Sequence, residues 1–249
     1  MKIIVNGAGG RMGKEVVNLA QAGFRVAELA AGVDINIQQK TEYPCYKNLK
    51  DVSETADCIV DFSNHQGTAM LLSYAVAKKI PVVVATTGHT DREILMIKEA
   101  SKQIPVFWSA NMSLGVALLV ELAKVAAKTM PDADIEIIEK HHNRKLDAPS
   151  GTALMIANAI KKVREKSRFV FGRYGQAKRS SDEIGIHAVR MGNIVGEHEV
   201  LIGTDNETIT IKHEAHNRAL FAEGALAAAS FLITRPAGLY SMQDMVSIM

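Results

Sequence analysis

Between Glu136 and Ala153 the chain gathers proton-transfer and anion-binding groups within a short span: His141 and His142, then Lys145, then Ser150-Gly151-Thr152. An imidazole titrates near neutral pH, so His141 or His142 can give or take a proton in a reaction. Lys145 supplies a full positive charge to the loop that leads into Ser-Gly-Thr. The alternating, isoleucine-rich stretch 134–138 reads as a strand. Pro149 bars helix until just before Ser150, and good helix formers then run from Ala153 to Ala157, giving a predicted helix over Thr152–Lys166. Ser150 is the expected N-cap. The N–H groups of Gly151 and Thr152 then fall at a helix N-terminus, where orphan donors and the helix dipole favour a carboxylate or a phosphate. The plainer reading of the same residues is a capped helix after a polar loop.

The first half of the chain supplies a second kind of chemistry. An apolar strand over Lys2–Asn6 runs into Gly7-Ala8-Gly9-Gly10-Arg11-Met12-Gly13, and helical spacing follows from Glu15 to Ala22. Strand, glycine turn and helix form the context in which a glycine loop holds a pyrophosphate. The glycines allow a tight turn, close backbone approach and close helix–strand packing. The spacing is Gly7-x-x-Gly10-x-x-Gly13, with Gly9 in addition, rather than a strict G-x-G-x-x-G. A second strand is expected over Arg25–Ala30. Asp34, 21 residues beyond Gly13, stands where an acidic side chain binds adenosine ribose hydroxyls. Alternation continues with strand Asp57–Phe62, helix Gly67–Lys78, strand Pro81–Ala85, helix Asp91–Ser101 and strand Pro105–Trp108. That order implies an α/β fold with a doubly wound, Rossmann-like parallel sheet, its ligand at the carboxyl ends of the strands. Two strand ends there carry small and hydroxyl-bearing residues that let a flat ring lie against the backbone: Ala85-Thr86-Thr87-Gly88 and Ser109-Ala110-Asn111-Met112-Ser113.

From Asp134 onward the pattern changes. Strands are expected at Glu183–Arg190, Asn193–Gly203 and Glu207–Ala215, with one strong helix, which suggests a smaller α+β domain built on an open mixed or antiparallel sheet. Lys161–Arg179 holds eight Lys or Arg and a single acid, Glu165, and reads as a solvated helix end and mobile loop. His198, within a strand, reads as a packed, hydrogen-bonded histidine.

Composition narrows the function classes. The 249 residues are 47% hydrophobic and 22% charged, with a net charge of +2, which gives no reason to expect a nucleic acid or a membrane surface as partner. No stretch approaches the ~18 consecutive apolar residues of a membrane span, and Met1–Asn6 turns polar too soon for a signal peptide. The chain reads as cytoplasmic. Cys45 and Cys58 follow no metal spacing, and Cys58, in an apolar run, is expected as a buried thiol. No metal site is expected, since His141 and His142 are adjacent on an extended segment, point to opposite faces, and lack an evident third ligand.

The segment 136–153 resembles the signature of the 4-hydroxy-tetrahydrodipicolinate reductase family, Glu-hydrophobic-x-Glu-x-His-x-x-x-Lys-x-Asp-x-Pro-Ser-Gly-Thr-Ala, at every fixed position. Arg190-Met191-Gly192-Asn193-Ile194-Val195-Gly196-Glu197-His198 is similar to a second family region, with Met191 where many relatives have glycine. Ala85 departs in the same way from Gly-Thr-Thr-Gly. The resemblance spans essentially the whole chain and is weakest over Asn36–Glu54. It implies reduction of a dicarboxylate, 4-hydroxy-tetrahydrodipicolinate, by NADH and/or NADPH in diaminopimelate and lysine biosynthesis, with loss of water. It implies His141 as acid/base, Lys145 as proton donor and carboxylate partner, and His142, Ser150, Gly151 and Thr152 as substrate-binding residues. The loop Gly7–Gly13, Asp34, Ala85–Thr87, Ala110–Ser113, Arg218 and Phe221 would hold the cofactor. It further implies a homotetramer and two domains, with 1–112 plus about 219–249 binding the dinucleotide and about 113–218 binding substrate and carrying the oligomer contacts. Since the two sets of residues fall in different domains, the reaction would require those domains to approach each other.

Overall fold

The computed structural model describes residues 1–36 and 41–246. The last residues of the expected cofactor domain, 247–249, lie outside the described residues. In chain order the elements are β1 (Lys2–Asn6), α1 (Arg11–Gln21), β2 (Glu28–Val33), β3 (Cys45–Tyr46), β4 (Cys58–Asp61), α2 (Thr68–Lys78), β5 (Val82–Val84), α3 (Asp91–Ser101) and β6 (Pro105–Trp108). They continue with α4 (Leu114–Thr129), β7 (Asp134–His141), α5 (Gly151–Val163), β8 (Arg168–Phe171), β9 (Glu183–Arg190), β10 (Gly196–Gly203) and β11 (Thr208–Ala215). The chain ends with α6 (Ala219–Leu232), β12 (Gly238–Tyr240) and α7 (Met242–Val246). Two compact units result, Met1–Ser113 with Arg218–Met245, and Leu114–Asn217.

The first unit is built on a seven-stranded parallel sheet in the order β12-β6-β5-β4-β1-β2-β3. Its central strands are short unbroken apolar runs because helices cover both faces: Ile3, Ile4, Ile59, Val60 and Val82–Val84 are all fully buried. The order reverses at β1, leaving the glycine loop at the switch point. The alanine-rich α6 lies against α1 and strands β4–β6. A side chain at its Gly224 would collide with the Met112 carbonyl, so helix and loop meet backbone to backbone. Cys58 is a fully buried thiol, as its apolar run predicts, and burial pushes it up to about 12.

Several boundaries move from their expected places. The second strand begins at Glu28 rather than Arg25, because Phe24–Val26 forms a 3-10 turn in which Arg25 and Val26, like Gly23 before them, have positive φ. A β-branched residue in that region breaks a strand pattern that hydropathy alone would continue. The two-residue β3 and the terminal β12, both parallel edge strands, are too short to register in periodicity.

The second unit holds a five-stranded mixed sheet, β11-β10-β7-β9-β8, antiparallel on the β10 side of β7 and parallel on the β9 side. Helices α4 and α5 cover one face and bury Ile135, Ile137, Ile184, Ile186, Val200 and Ile202. The helix over Leu114–Thr129 precedes the Asp134 boundary and occupies a stretch for which the sequence pattern predicted no element. The basic stretch 161–179 also differs from a solvated loop. It contains β8, and most of its arginines are structural. Arg164 donates to the carbonyls of Ala127, Met130 and Ala133 at the end of α4. Arg168 pairs with Asp182 and Glu183, Arg173 with Glu183, and Arg179 with Asp134 and Glu136. Their acid partners come mostly from strands distant in sequence, so a local charge count could not see them.

Candidate active site

In the first unit the glycine loop does what its composition requires. Gly7 adopts φ +84, and its N–H and that of Ala8 both donate to the Val33 carbonyl at 2.8 and 3.1 Å. A Cβ at Gly7 would lie 2.6 Å from the Phe62 carbonyl oxygen, and one at Gly13 would strike the Gly7 carbonyl. Only glycine lets α1 press this closely on β1. The N-cap of α1 is Gly10, which has no side chain to satisfy the first-turn N–H groups, an end suited to receiving an anion. Arg11 is exposed at the first position of that helix, Met12 is half-buried and Gly13 is buried.

Asp34 follows β2 directly. Its Oδ2 accepts from Gly9 N–H at 3.0 Å and its Oδ1 from Asn36 N–H at 2.8 Å, tying the glycine loop to the end of β2. A cleft of about 550 Å³ opens here, lined among others by Gly7, Gly10, Asp34, Ile35 and Ser63. Uncapped amides, a glycine-only approach and an acid at the ribose position together suit the adenosine and pyrophosphate part of a dinucleotide. Ala85 and Thr86 lie at the end of β5, both buried, with Thr87 next to them on the surface. The turn before α4 is shaped by its own side chains: Ser109 Oγ donates to the Asn111 carbonyl at 2.7 Å, and Ser113 N–H to Asn111 Oδ1 at 2.8 Å. Ala110 is exposed in that turn, whereas Met112 and Ser113 are buried. Arg218 is the N-cap of α6 and accepts the N–H of Phe221 at 3.1 Å.

In the second unit, strand alternation assembles the site. Along β7 the buried positions are Ile135, Ile137, Glu139 and His141, so the apolar face under α4 and α5 continues into a carboxylate and an imidazole. His141 is therefore the last residue of a strand that extends three residues past the expected 138. Register brings the partners: His198 of β10 lies opposite Glu139, and Arg190 of β9 pairs with His141.

Glu139 is fully buried and accepts hydrogen bonds on both oxygens: from His141 Nδ1 at 2.6 Å, from Arg190 at 2.8 and 2.6 Å, and from the Ser150 N–H at 2.9 Å. Burial pushes this carboxyl upward, but the donors from His141, Arg190 and Ser150 outweigh it and hold it at about 2. Glu139 thus stays ionised, fixes the His141 ring with Nδ1 as donor, and leaves Nε2 for proton transfer. A Cβ at Gly196 would come within 3.1 Å of that Nε2, so glycine there keeps the nitrogen uncrowded.

The predicted N-cap forms: Ser150 Oγ accepts from Ala153 N–H at 3.1 Å at the head of α5. The same oxygen is 3.1 Å from His198 Nε2, and the His198 and His141 rings meet edge-on at 5.2 Å. Burial first, and the neighbouring His141 second, push His198 down to about 4, so it is neutral. His198 is thus a packed, hydrogen-bonded histidine, but one belonging to the site. His142, next along, donates its N–H to the Ile194 carbonyl at 2.8 Å. Gly151 opens α5, with Thr152 half-buried behind it.

The Lys145 ammonium is paired with Asp147 at 2.8 Å. Lys145 above all, and further down Gly151 N–H, hold the Asp147 carboxyl below its usual range. The cradle expected for a substrate carboxylate therefore already attracts one of the protein's own. Sequence reasoning assigned no role to Glu139, Arg190 or Asp147. The period-2 count from Ile135 was the available signal for Glu139, whereas Arg190 was marked only by the family region that it opens.

The chain matches two family models over nearly its full length: dihydrodipicolinate reductase, N-terminus, over residues 1–112, and dihydrodipicolinate reductase, C-terminus, over residues 115–246. It is 52% identical over 248 residues to a 4-hydroxy-tetrahydrodipicolinate reductase of Caldanaerobacter subterraneus subsp. tengcongensis, covering 99% of this chain and 98% of that one. It is 43% identical over 249 residues to the reductase of the same name from Clostridium tetani, covering 99% and 97%. Among solved structures it is similar to a dipicolinate-bound dihydrodipicolinate reductase from Paenisporosarcina sp. TG-14, with a TM-score of 0.84, 25% identity and 99% of each chain covered. Two half-sites of matching chemistry and full-length agreement with both family models lead to one conclusion: the chain belongs to the dihydrodipicolinate reductase family of NAD(P)H-dependent oxidoreductases, which acts in lysine and diaminopimelate biosynthesis.

Proposed function

We propose that the residues of the two half-sites reduce 4-hydroxy-tetrahydrodipicolinate to tetrahydrodipicolinate with loss of water. His141 acts as the acid/base, and Lys145 as proton donor and carboxylate partner. The observation that carries this reading is the buried Glu139 carboxylate, held between His141 Nδ1 and the Arg190 guanidinium. A carboxylate behind an imidazole sets its tautomer and supports the positive charge that the ring takes on during proton transfer. Lys145 leaves Asp147 to meet a substrate carboxylate, exchanging one charge-assisted hydrogen bond for another. Gly151 and Thr152 at the head of α5, with His142, hold the remaining polar groups of the dicarboxylate. The bound dipicolinate of the Paenisporosarcina protein, a planar dicarboxylate, supports this choice of ligand class.

On the cofactor side, the Gly7–Gly13 amides and Arg11 receive the pyrophosphate, Asp34 the adenosine ribose, and Ala85–Thr87, Ala110–Ser113, Arg218 and Phe221 the remainder. When bound, the reduced nicotinamide supplies the hydride. Residues 1–112 and about 219–249 form the cofactor domain in this reading, and about 113–218 the substrate and oligomer domain. A cytoplasmic homotetramer follows from the same reading. Self-association is supported by β11, an edge strand with most of its residues exposed, Ile209 among them at 40%.

The test is oxidation of NADH or NADPH by the purified protein. Cofactor is consumed only when the dicarboxylate substrate is present, and pyridine-2,6-dicarboxylate competes with that substrate. Consumption independent of the substrate, or none with it, refutes the assignment. Sedimentation equilibrium tests the tetramer.

A further inference from the structure

At the carboxyl end of β4, Asp61 is 2% exposed and gathers donors from three strand ends. Its Oδ1 accepts from Asn6 Nδ2 at 2.7 Å and from Ser63 Oγ at 2.6 Å, and more weakly from Ser63 N–H at 3.4 Å. Its Oδ2 accepts from Thr86 Oγ1 at 2.6 Å. Asn6 ends β1 just before the glycine loop, Ser63 follows β4, and Thr86 follows β5. Burial pushes the carboxyl above its ordinary value, and the hydrogen bonds from Ser63, Thr86 and Asn6 pull it part of the way back.

A hydroxyl has one proton and two lone pairs. The protons of Ser63 and Thr86 are both committed to Asp61, so each hydroxyl can offer only lone pairs to anything else. Ser63 Oγ already uses one of them to accept from Asn6 Nδ2 at 3.1 Å. Both Asn6 and Ser63 line the cleft that contains Gly7 and Gly10.

Strand order assigns a ligand chemistry to these acceptors. Asp34 after β2 marks the adenosine end, and the loop after β1 the pyrophosphate. A dinucleotide laid along the carboxyl ends of β6-β5-β4-β1-β2 must then extend its nicotinamide half toward β4 and β5. That half carries hydrogen-bond donors, the ribose hydroxyls and the carboxamide N–H. We propose that Asp61 is a positioning residue that makes the Ser63 and Thr86 hydroxyls obligate acceptors, so that this edge of the pocket selects the donors of the nicotinamide half. The proposal rests on the cofactor placement given under the proposed function.

Asp61→Asn keeps the shape and reverses one polarity. Its NH₂ cannot face Asn6 Nδ2 without a donor–donor clash, so it faces Thr86, whose hydroxyl then accepts from it and turns its own proton outward. Binding of three probes without substrate, measured by calorimetry, reads the change: NADH, the reduced 3-acetylpyridine analogue (a ring carbonyl but no amide N–H), and ADP. The wild type should bind NADH about tenfold tighter than the analogue, the worth of one hydrogen bond. In Asp61→Asn that ratio should fall to about threefold or less, with ADP affinity within about twofold of wild type. Thr86→Val, which removes the hydroxyl at nearly constant shape, should collapse the ratio in the same way and carries the test if Asp61→Asn does not fold. An unchanged ratio in the variants, or equal weakening of all three probes, overturns the proposal. If the wild type binds NADH no tighter than ADP, the cofactor placement itself fails, and the proposal with it.

Discussion

The two helix N-termini that head the half-sites are built in opposite ways. Helix α1 begins at Gly10, with no side chain over its first-turn amides. Helix α5 begins at Ser150, whose hydroxyl satisfies Ala153 N–H, and the Asp147 carboxylate waits beside it on Lys145. The first end offers an anion backbone donors alone, at a spot where glycine is a steric requirement. The second adds side-chain charge at every step: Lys145 to Asp147, and Arg190 to Glu139 to His141. A backbone site has few titrating parts and holds a ligand that only has to be bound. The side-chain site can move protons, because its charges can change. The difference in construction matches the proposed division between cofactor binding and chemistry.

That contrast can be broken most severely at His141. His141→Gln should lower kcat by roughly 10²–10⁴-fold, the range of lost general acid–base catalysis, with a smaller change in KM. Cofactor Kd, followed by fluorescence titration, should stay constant; a parallel loss would mean that the two half-sites are not separable. Next comes Lys145→Ala, with kcat lowered and substrate KM raised, together about 10²-fold in kcat/KM, because an ionic contact is lost in both ground and transition states. Near-normal kcat/KM in both folded variants would reduce the motif to a structural loop.

The third expectation concerns pH. His198 is pushed down to about 4 in the folded protein and titrates near 6.5 when unfolded. Between those values the unfolded chain binds more protons, so stability rises with pH and is lost as pH falls from about 6.5 toward 4. Denaturation curves at pH 7 and pH 5 should differ by about 2 kcal/mol through this group, and His198→Asn should flatten that part of the profile. An equal slope in the variant removes His198 as the cause.

Fourth, Gly13→Ala should weaken cofactor binding by at least about tenfold, since the new methyl meets the Gly7 carbonyl, whereas Arg11→Ala should cost no more than about threefold. The reverse order would make the first half-site a charge site after all. The smallest effect is cofactor preference. Asp34 accepts from hydroxyls and repels a phosphate, so NADH should be used at least as well as NADPH. A kcat/KM clearly higher with NADPH would show that a cation such as Arg11 outweighs the acid.

Much of this protein was legible before any tertiary structure. Strand, glycine turn and helix at the N-terminus, the α3 and β6 boundaries, and the Ser150 cap all follow from short-range rules: steric freedom at glycine, the missing N–H of proline, and side-chain capping. Those forces act within a few residues, so the order of residues carries them completely. Boundaries failed where backbone dihedrals overrode hydropathy, as at Phe24–Val26, and where pairing partners were remote, as for β8 in the basic stretch. Sheet register lay wholly beyond the sequence. Arg190 lies 51 residues from Glu139, and His198 is 48 from Ser150, yet these contacts hold Glu139 ionised and fix His198 against the head of α5. The sequence by itself determined which chemistry was present and on which helix ends it would be presented. Only the folded sheet decided which charges neutralise one another, because desolvation and pairing depend on what lies across the strand rather than along it.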